Sequence, residues 1–165
     1  MRALARSLPA LLLSSLLLAG CGGPPVDLKQ GLDITVVSTG WFDAGIVDGK
    51  NKLVPTVTFT IKNVSGQTLN GLQMMGSFFR VTDTTSEWGN SLLSVTSGGE
   101  GLAPGATTPT LTLRSPLGYT GTEPRAEMLA NSLFVDAMVK LVAKYGSTQW
   151  THVQEVPIER QLIEH

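Results

Sequence analysis

The stretch Val54-Pro55-Thr56-Val57-Thr58-Phe59-Thr60-Ile61-Lys62-Asn63-Val64 decides the fold. Val57, Phe59 and Ile61 fall on one side, and Thr56, Thr58, Thr60 and Lys62 on the other. A period of two with β-branched residues on both faces predicts a strand, and polar residues along one face predict an antiparallel sheet covered on one side only. Asn63-Val64-Ser65-Gly66-Gln67 then breaks the run as a turn.

Working outward, Ile34, Val36 and Ser38 alternate with Asp33, Thr35 and Val37 in a first strand that Trp41-Phe42 extends. Asp48-Gly49 is a turn signal, because both residues tolerate positive φ. Beyond the central strand, residues 69–81 read as another, with Leu72, Met74, Phe78 and Phe79 in the core and Gly71 and Gly76 marking a bulge or a close approach of backbones. Met74-Met75 and Phe78-Phe79 put a large apolar side chain on each face, so the outer face needs cover from a loop or a partner. A shorter strand at 88–95, a loop at 97–101, a turn at Leu102-Ala103-Pro104-Gly105, a strand at 108–113 and a long loop at 116–124 follow.

Residues 123–145 satisfy two periods. Ala126, Leu129, Ala130, Leu133, Phe134, Ala137, Met138 and Leu141 fit a helical stripe, whereas Val135, Ala137, Val139, Leu141, Ala143 and Tyr145 fit one strand face. The turn at Tyr145-Gly146-Ser147-Thr148 and the alternation over 150–163 favour a hairpin, with a short helix at 125–131.

The amino-terminal end has a different grammar. Arg2 and Arg6 precede a Leu- and Ala-rich run at 8–18, which is shorter than the roughly 18 residues of a spanning helix and matches an export signal. Leu18-Ala19-Gly20-Cys21 closes that run and resembles the lipobox of bacterial lipoproteins. The resemblance implies removal of residues 1–20, lipidation of Cys21 and attachment to a membrane through two or three acyl chains, enough to make dissociation negligible. Cys21 is the only cysteine, so no disulfide can form within the chain. Gly22 stands where an inner-membrane retention signal would carry aspartate, which favours the outer membrane, facing the periplasm, in a two-membrane envelope. Gly-Gly-Pro-Pro leads a stretch read as a flexible tether at 21–31, able to hold a domain at 32–165 some 30 Å from the lipid.

Removing Arg2 and Arg6 from twelve basic residues leaves ten against thirteen acidic ones, so the basic stripe of a nucleic-acid binder is missing. About 145 residues suffice for one core. Some seven strands with turns every ten residues or so give a mainly β chain, a single antiparallel sandwich with one short helix near 125–131. The succession from Val57 to Ser65, then Leu69, Leu72 and Leu102-Ala103-Pro104-Gly105, resembles small bacterial immunoglobulin-like domains of the FxLYD group, although the Phe-x-Leu-Tyr-Asp signature itself is absent.

Reaction chemistry finds little support. His152 alternates with Trp150 and Gln154 on an expected strand, no Gly-x-Ser-x-Gly elbow accompanies it, and Glu155 and Glu159 are expected on the opposite face. Asp43, Asp48 and Asn51 lack the alternating acids of a calcium loop and read as a solvated turn. Gly98-Gly99-Glu100-Gly101 does not lead from a strand into a helix and reads as a loop. Asn63-Val64-Ser65 matches a glycosylation sequon that a turn explains, and two of Trp41, Trp88 and Trp150 are expected in the core. The expectation is a non-enzymatic, cofactor-free, lipid-anchored envelope module that binds another envelope protein by a sheet edge or loops. The alternatives are a carrier holding a lipid or small molecule in a Phe-, Met- and Trp-lined cavity, and a hydrolase built around His152.

Overall fold

The computed structural model describes residues 24–96 and 99–163. Two sheets face each other. The first has strand order β5-β2-β1-β9, formed by β1 (Leu32–Val47), β2 (Lys50–Asn63), β5 (Leu111–Arg114) and β9 (Leu162–Ile163), with β6 (Tyr119–Gly121) also pairing with β2. The second has order β4-β3-β7-β8, formed by β3 (Gln73–Arg80), β4 (Asp83–Ser94), β7 (Ala137–Lys144) and β8 (Thr151–Pro157). The chain crosses between sheets after β2, β4, β6 and β8, giving a mainly antiparallel β-sandwich.

The central strand behaves as its alternation requires. Val57, Phe59 and Ile61 are fully buried against Met74, Phe78, Val139, Leu141 and Ala143 of the facing sheet. Pro55 explains why the neighbouring edge is split. Trp41 N–H donates to Gln161 O, away from β2, so the Trp41–Pro55 pair exchanges no ladder bond and Pro55 turns its missing donor toward the far edge. Pairing there stops at Thr56 with β5 and resumes at Leu53 with β6. The loop expected at 116–124 therefore contains a short strand.

Asp48 and Gly49 form the hairpin tip between β1 and β2, with φ of 51° and 75°. A bulge at Val37 shifts the register between Val36 and Ser38, so Ser38 leaves the face of Ile34 and Val36, and Thr39 and Trp41 point inward instead. Gly76 is a close approach: a Cβ there would lie 3.1 Å from Val139 Cγ2 on the neighbouring β7 and 3.2 Å from Leu113 Cδ1 of the opposite sheet.

The ambiguous region resolves into α2 (Arg125–Ala130) and the β7–β8 hairpin, as the following turn suggested. Six residues cannot hold a helix by propensity; α2 is held by burial of Met128 and Leu129. Alternation at 150–163 does not continue as one strand. Ile158 is buried, and a short crossing brings Leu162 and Ile163 beside Trp41 and Phe42 without room to reverse direction, so β1 and β9 pair in parallel within an otherwise antiparallel fold. Phe79 is also displaced from the expected core. β3 pairs with β7 without a slip, so only Phe78 points in, while Phe79 lies half-buried outside with Lys140 Nζ 4.6 Å from its ring centroid.

The expected tether is shorter than composition suggested. Residues 28–31 form a single helical turn, α1 (Leu28–Gly31), capped by Asp27 Oδ1 accepting from Lys29 N–H at 3.0 Å. Leu28 is buried in the core, so Gly-Gly-Pro-Pro governs only the residues before it.

Candidate interaction surface

Strand directions give the sandwich two ends. One end gathers α1 and the β2–β3, β4–β5 and β7–β8 connections; the other gathers the β1–β2 tip, the β3–β4 turn, the 115–124 segment and α2. Side chains knit the second end together. Arg125 pairs with Asp43, Asn51 Nδ2 donates to Glu123 O at 2.9 Å, and Lys52 Nζ donates to Pro116 O at 2.9 Å. Val81 N–H donates to Asp136 O, and Arg160 grips Asp136 through Nε at 2.6 Å and Nη2 at 3.0 Å, with Nη2 also on Phe134 O at 3.1 Å.

These ion pairs set the local electrostatics. The Arg160 hydrogen bond holds the Asp136 carboxyl below its usual range, and the same bond raises the guanidinium. Hydrogen bonding from Arg125, with help from Gly45 N–H, does the same for Asp43. Carboxylates fixed this way are structural clasps rather than proton donors at neutral pH.

The apolar surface of this end is the feature without an internal explanation. Leu133 is 79% exposed and Ile46 70%, and Val47, Val81, Leu117 and Leu162 are exposed as well. Beside them, Ala126, Leu129, Ala130, Arg160, Gln161 and Leu162 line an open groove of about 350 Å³ between α2 and the C-terminal crossing. A second groove of about 300 Å³ follows the seam where the edge of β1 meets β8, lined by Val36, Val37, Val156 and Pro157 among others.

The residues nominated from sequence fare unevenly. Cys21 lies outside the described residues. His152 is an exposed strand residue, but it shares its face with Glu155, against expectation. β8 carries an extra residue at Val153, where Leu141 opposes Gln154 and Val142 opposes His152, so the parity flips and His152 Nε2 comes within 3.6 Å of Glu155 Oε1. Glu155 also lies 4.0 Å from Lys140 Nζ, so the trio forms a surface charge cluster. Asp43 and Asn51 are taken up by Arg125 and Glu123 O, Asp48 sits in the hairpin tip, and no cluster of three or more metal-ligating acids, histidines or cysteines occurs among the described residues.

Asn63 earns its position as the turn explains. Fully buried, it donates to Gln67 O at 2.8 Å and Leu102 O at 2.7 Å and accepts from Ser65 N–H and Oγ. Trp41 is buried in an aromatic cluster with Trp88 at 6.1 Å and Phe134 at 4.5 Å, while Trp150 stays 38% exposed beside Lys144. Sequence reading missed Asp136, Arg160 and Arg125, whose pairings link segments far apart in the chain. Leu133 and Ile46 carried a signal only in hindsight of the fold, as apolar residues that the strand periods leave outside.

No protein-family model matches the chain, and no curated protein matches it. Among solved structures it is similar to the X-ray structure of Northeast Structural Genomics Consortium target SoR45, at 15% identity and a TM-score of 0.41, over 80% of this chain and 85% of that one. Among the described residues no helix is long and apolar enough to cross a membrane.

Proposed function

We propose that this chain is a lipid-anchored, non-enzymatic lipoprotein of the bacterial cell envelope, attached through Cys21, whose sandwich serves as a protein-binding module of an envelope assembly. The outer membrane, periplasmic side, is the favoured site in a two-membrane envelope. The anchor reading rests on Leu18-Ala19-Gly20-Cys21 behind a short apolar run. The binding reading rests on one observation: the exposed apolar residues Ile46, Val47, Val81, Leu117 and Leu133 lie on the segments that the topology gathers at the end opposite α1. A carrier has less support, since neither groove has a Phe, Met or Trp in its lining.

The test is in-cell crosslinking and mass spectrometry of the lipidated protein beside Ile46→Asp and Leu133→Asp. Both side chains are solvent-exposed, so each change should alter stability by no more than about 0.5 kcal/mol. Loss of one stoichiometric envelope partner in these variants, with membrane attachment retained, is the expected result. A partner retained in both would refute the binding surface, and a Cys21→Ser form that stays with the membrane would refute the anchor.

A further inference from the structure

The segment expected to let the domain roam is instead fastened to it. Pro24 O accepts from Gln67 Nε2 at 2.7 Å, and Val26 N–H donates to the Tyr145 hydroxyl at 2.7 Å. Val26 packs against the core and Leu28 is buried in it. The chain is thus bound to the β2–β3 and β7–β8 connections from Pro24 onward. Only three peptide steps separate Pro24 from Cys21, a reach of about 10 Å at full extension. The interfacial layer of one leaflet is itself roughly 6 Å deep.

We infer that the α1 end of the sandwich docks on the bilayer that holds the Cys21 lipid, with Trp150 seated in the headgroup layer. The inference rests on the lipidation proposed above and adds an orientation and a contact surface. The side chains at this end suit the place. Trp150 is exposed and lies two residues past the Tyr145–Thr148 turn that receives Val26, with Lys144 Nζ 5.0 Å from its ring centroid. Indole rings with one apolar and one polar edge settle at the headgroup level, and lysine stems lie along apolar surface while the ammonium reaches phosphate. Val64 is exposed at the same end, next to Gly31, whose carbonyl accepts its N–H. A 10 Å leash and an interfacial tryptophan at the same end act together. The apolar end with Ile46 and Leu133 is then held outward by the length of β1, sixteen residues or about 50 Å before bulges shorten it.

The test uses the full lipidated protein reconstituted in phosphatidylethanolamine/phosphatidylglycerol vesicles containing lipids brominated near the headgroup. One indole in three should be quenched, the quenching should vanish in Trp150→Phe, and a twenty-residue Gly-Ser insertion between Gly23 and Pro24 should reduce it while flotation with the vesicles is retained. Protein that floats with the vesicles but shows no quenching, or quenching that Trp150→Phe leaves intact, overturns the docking inference and leaves the anchor standing. Quenching unaffected by the longer linker overturns the role of the short leash. Failure to float, equal to that of Cys21→Ser, overturns the anchor reading itself.

Discussion

Replacing Asn63 by alanine tests whether the turn after the central strand is held by one buried amide. That side chain makes four hydrogen bonds, two donated by Nδ2 and two accepted by Oδ1. At about 1 kcal/mol net each, their loss would cost roughly 4 kcal/mol. Two features reduce the figure. Leu102 O keeps its bond from Leu69 N–H at 3.0 Å, and Ser65 is only half-buried, so water can reach its freed donors. The expected loss is about 3 kcal/mol, which lowers the urea midpoint of the protein by roughly 1 to 2 M with an ordinary slope. Asn63→Asp separates the donors from the acceptors. It keeps both accepted bonds but sets a carboxylate against two carbonyl oxygens, so it should cost more than alanine at pH 7. Its carboxyl should titrate above the unfolded value, so stability is highest in acid and is lost as pH rises through the folded pKa. A loss below about 1 kcal/mol for Asn63→Ala, or an Asn63→Asp variant as stable as wild type at neutral pH, would refute this account of the turn.

Other outcomes follow from the same geometry. Leu28→Ala should cost about 2 to 4 kcal/mol, read by urea denaturation, because the residue is buried and its site cannot fully collapse. Gly76→Ala should cost about 1 to 3 kcal/mol in the same assay, since its Cβ would crowd Val139 on the neighbouring strand and Leu113 across the sandwich. The carboxyls of Asp43 and Asp136 titrate below their unfolded values, so their pairing is intact above about pH 4 and is lost as pH falls through the lower folded pKa. Protection of the Val81 and Phe134 amides, measured against their intrinsic exchange rates at each pH, should fall over that acid range, and Arg160→Ala should remove the Asp136 share of the effect.

The sequence reading succeeded where one period was unbroken and failed where an extra residue changed it. Val57, Phe59 and Ile61, and Ala137, Val139, Leu141 and Ala143, kept their parity because neither run contains a bulge. Val37 and Val153 each add one residue to a strand, which moved Ser38 away from its predicted face and put His152 beside Glu155. Nothing local announces such insertions, because a bulge is settled by what the partner strand offers. Leu28 was concealed by the prolines before it, and its burial depends on a pocket assembled from residues far along the chain. The candidate surface was the least legible part. Its clasps join Asp43 to Arg125 and Asp136 to Arg160, and exposure of Ile46 and Leu133 becomes meaningful only once the topology places them at one end.

Strand β1 begins one residue after the α1 turn and runs the length of the sandwich, antiparallel to β2 over nearly all of it, with β9 beside its middle. A partner tugging on the outer end while lipid holds Cys21 would load this strand along its own axis. Its hydrogen bonds to β2 lie across that axis, so they would have to rupture together in shear instead of opening one after another like a zip. Under the anchoring proposed above, the β1–β2 ladder would be the part of the fold that meets such a load first.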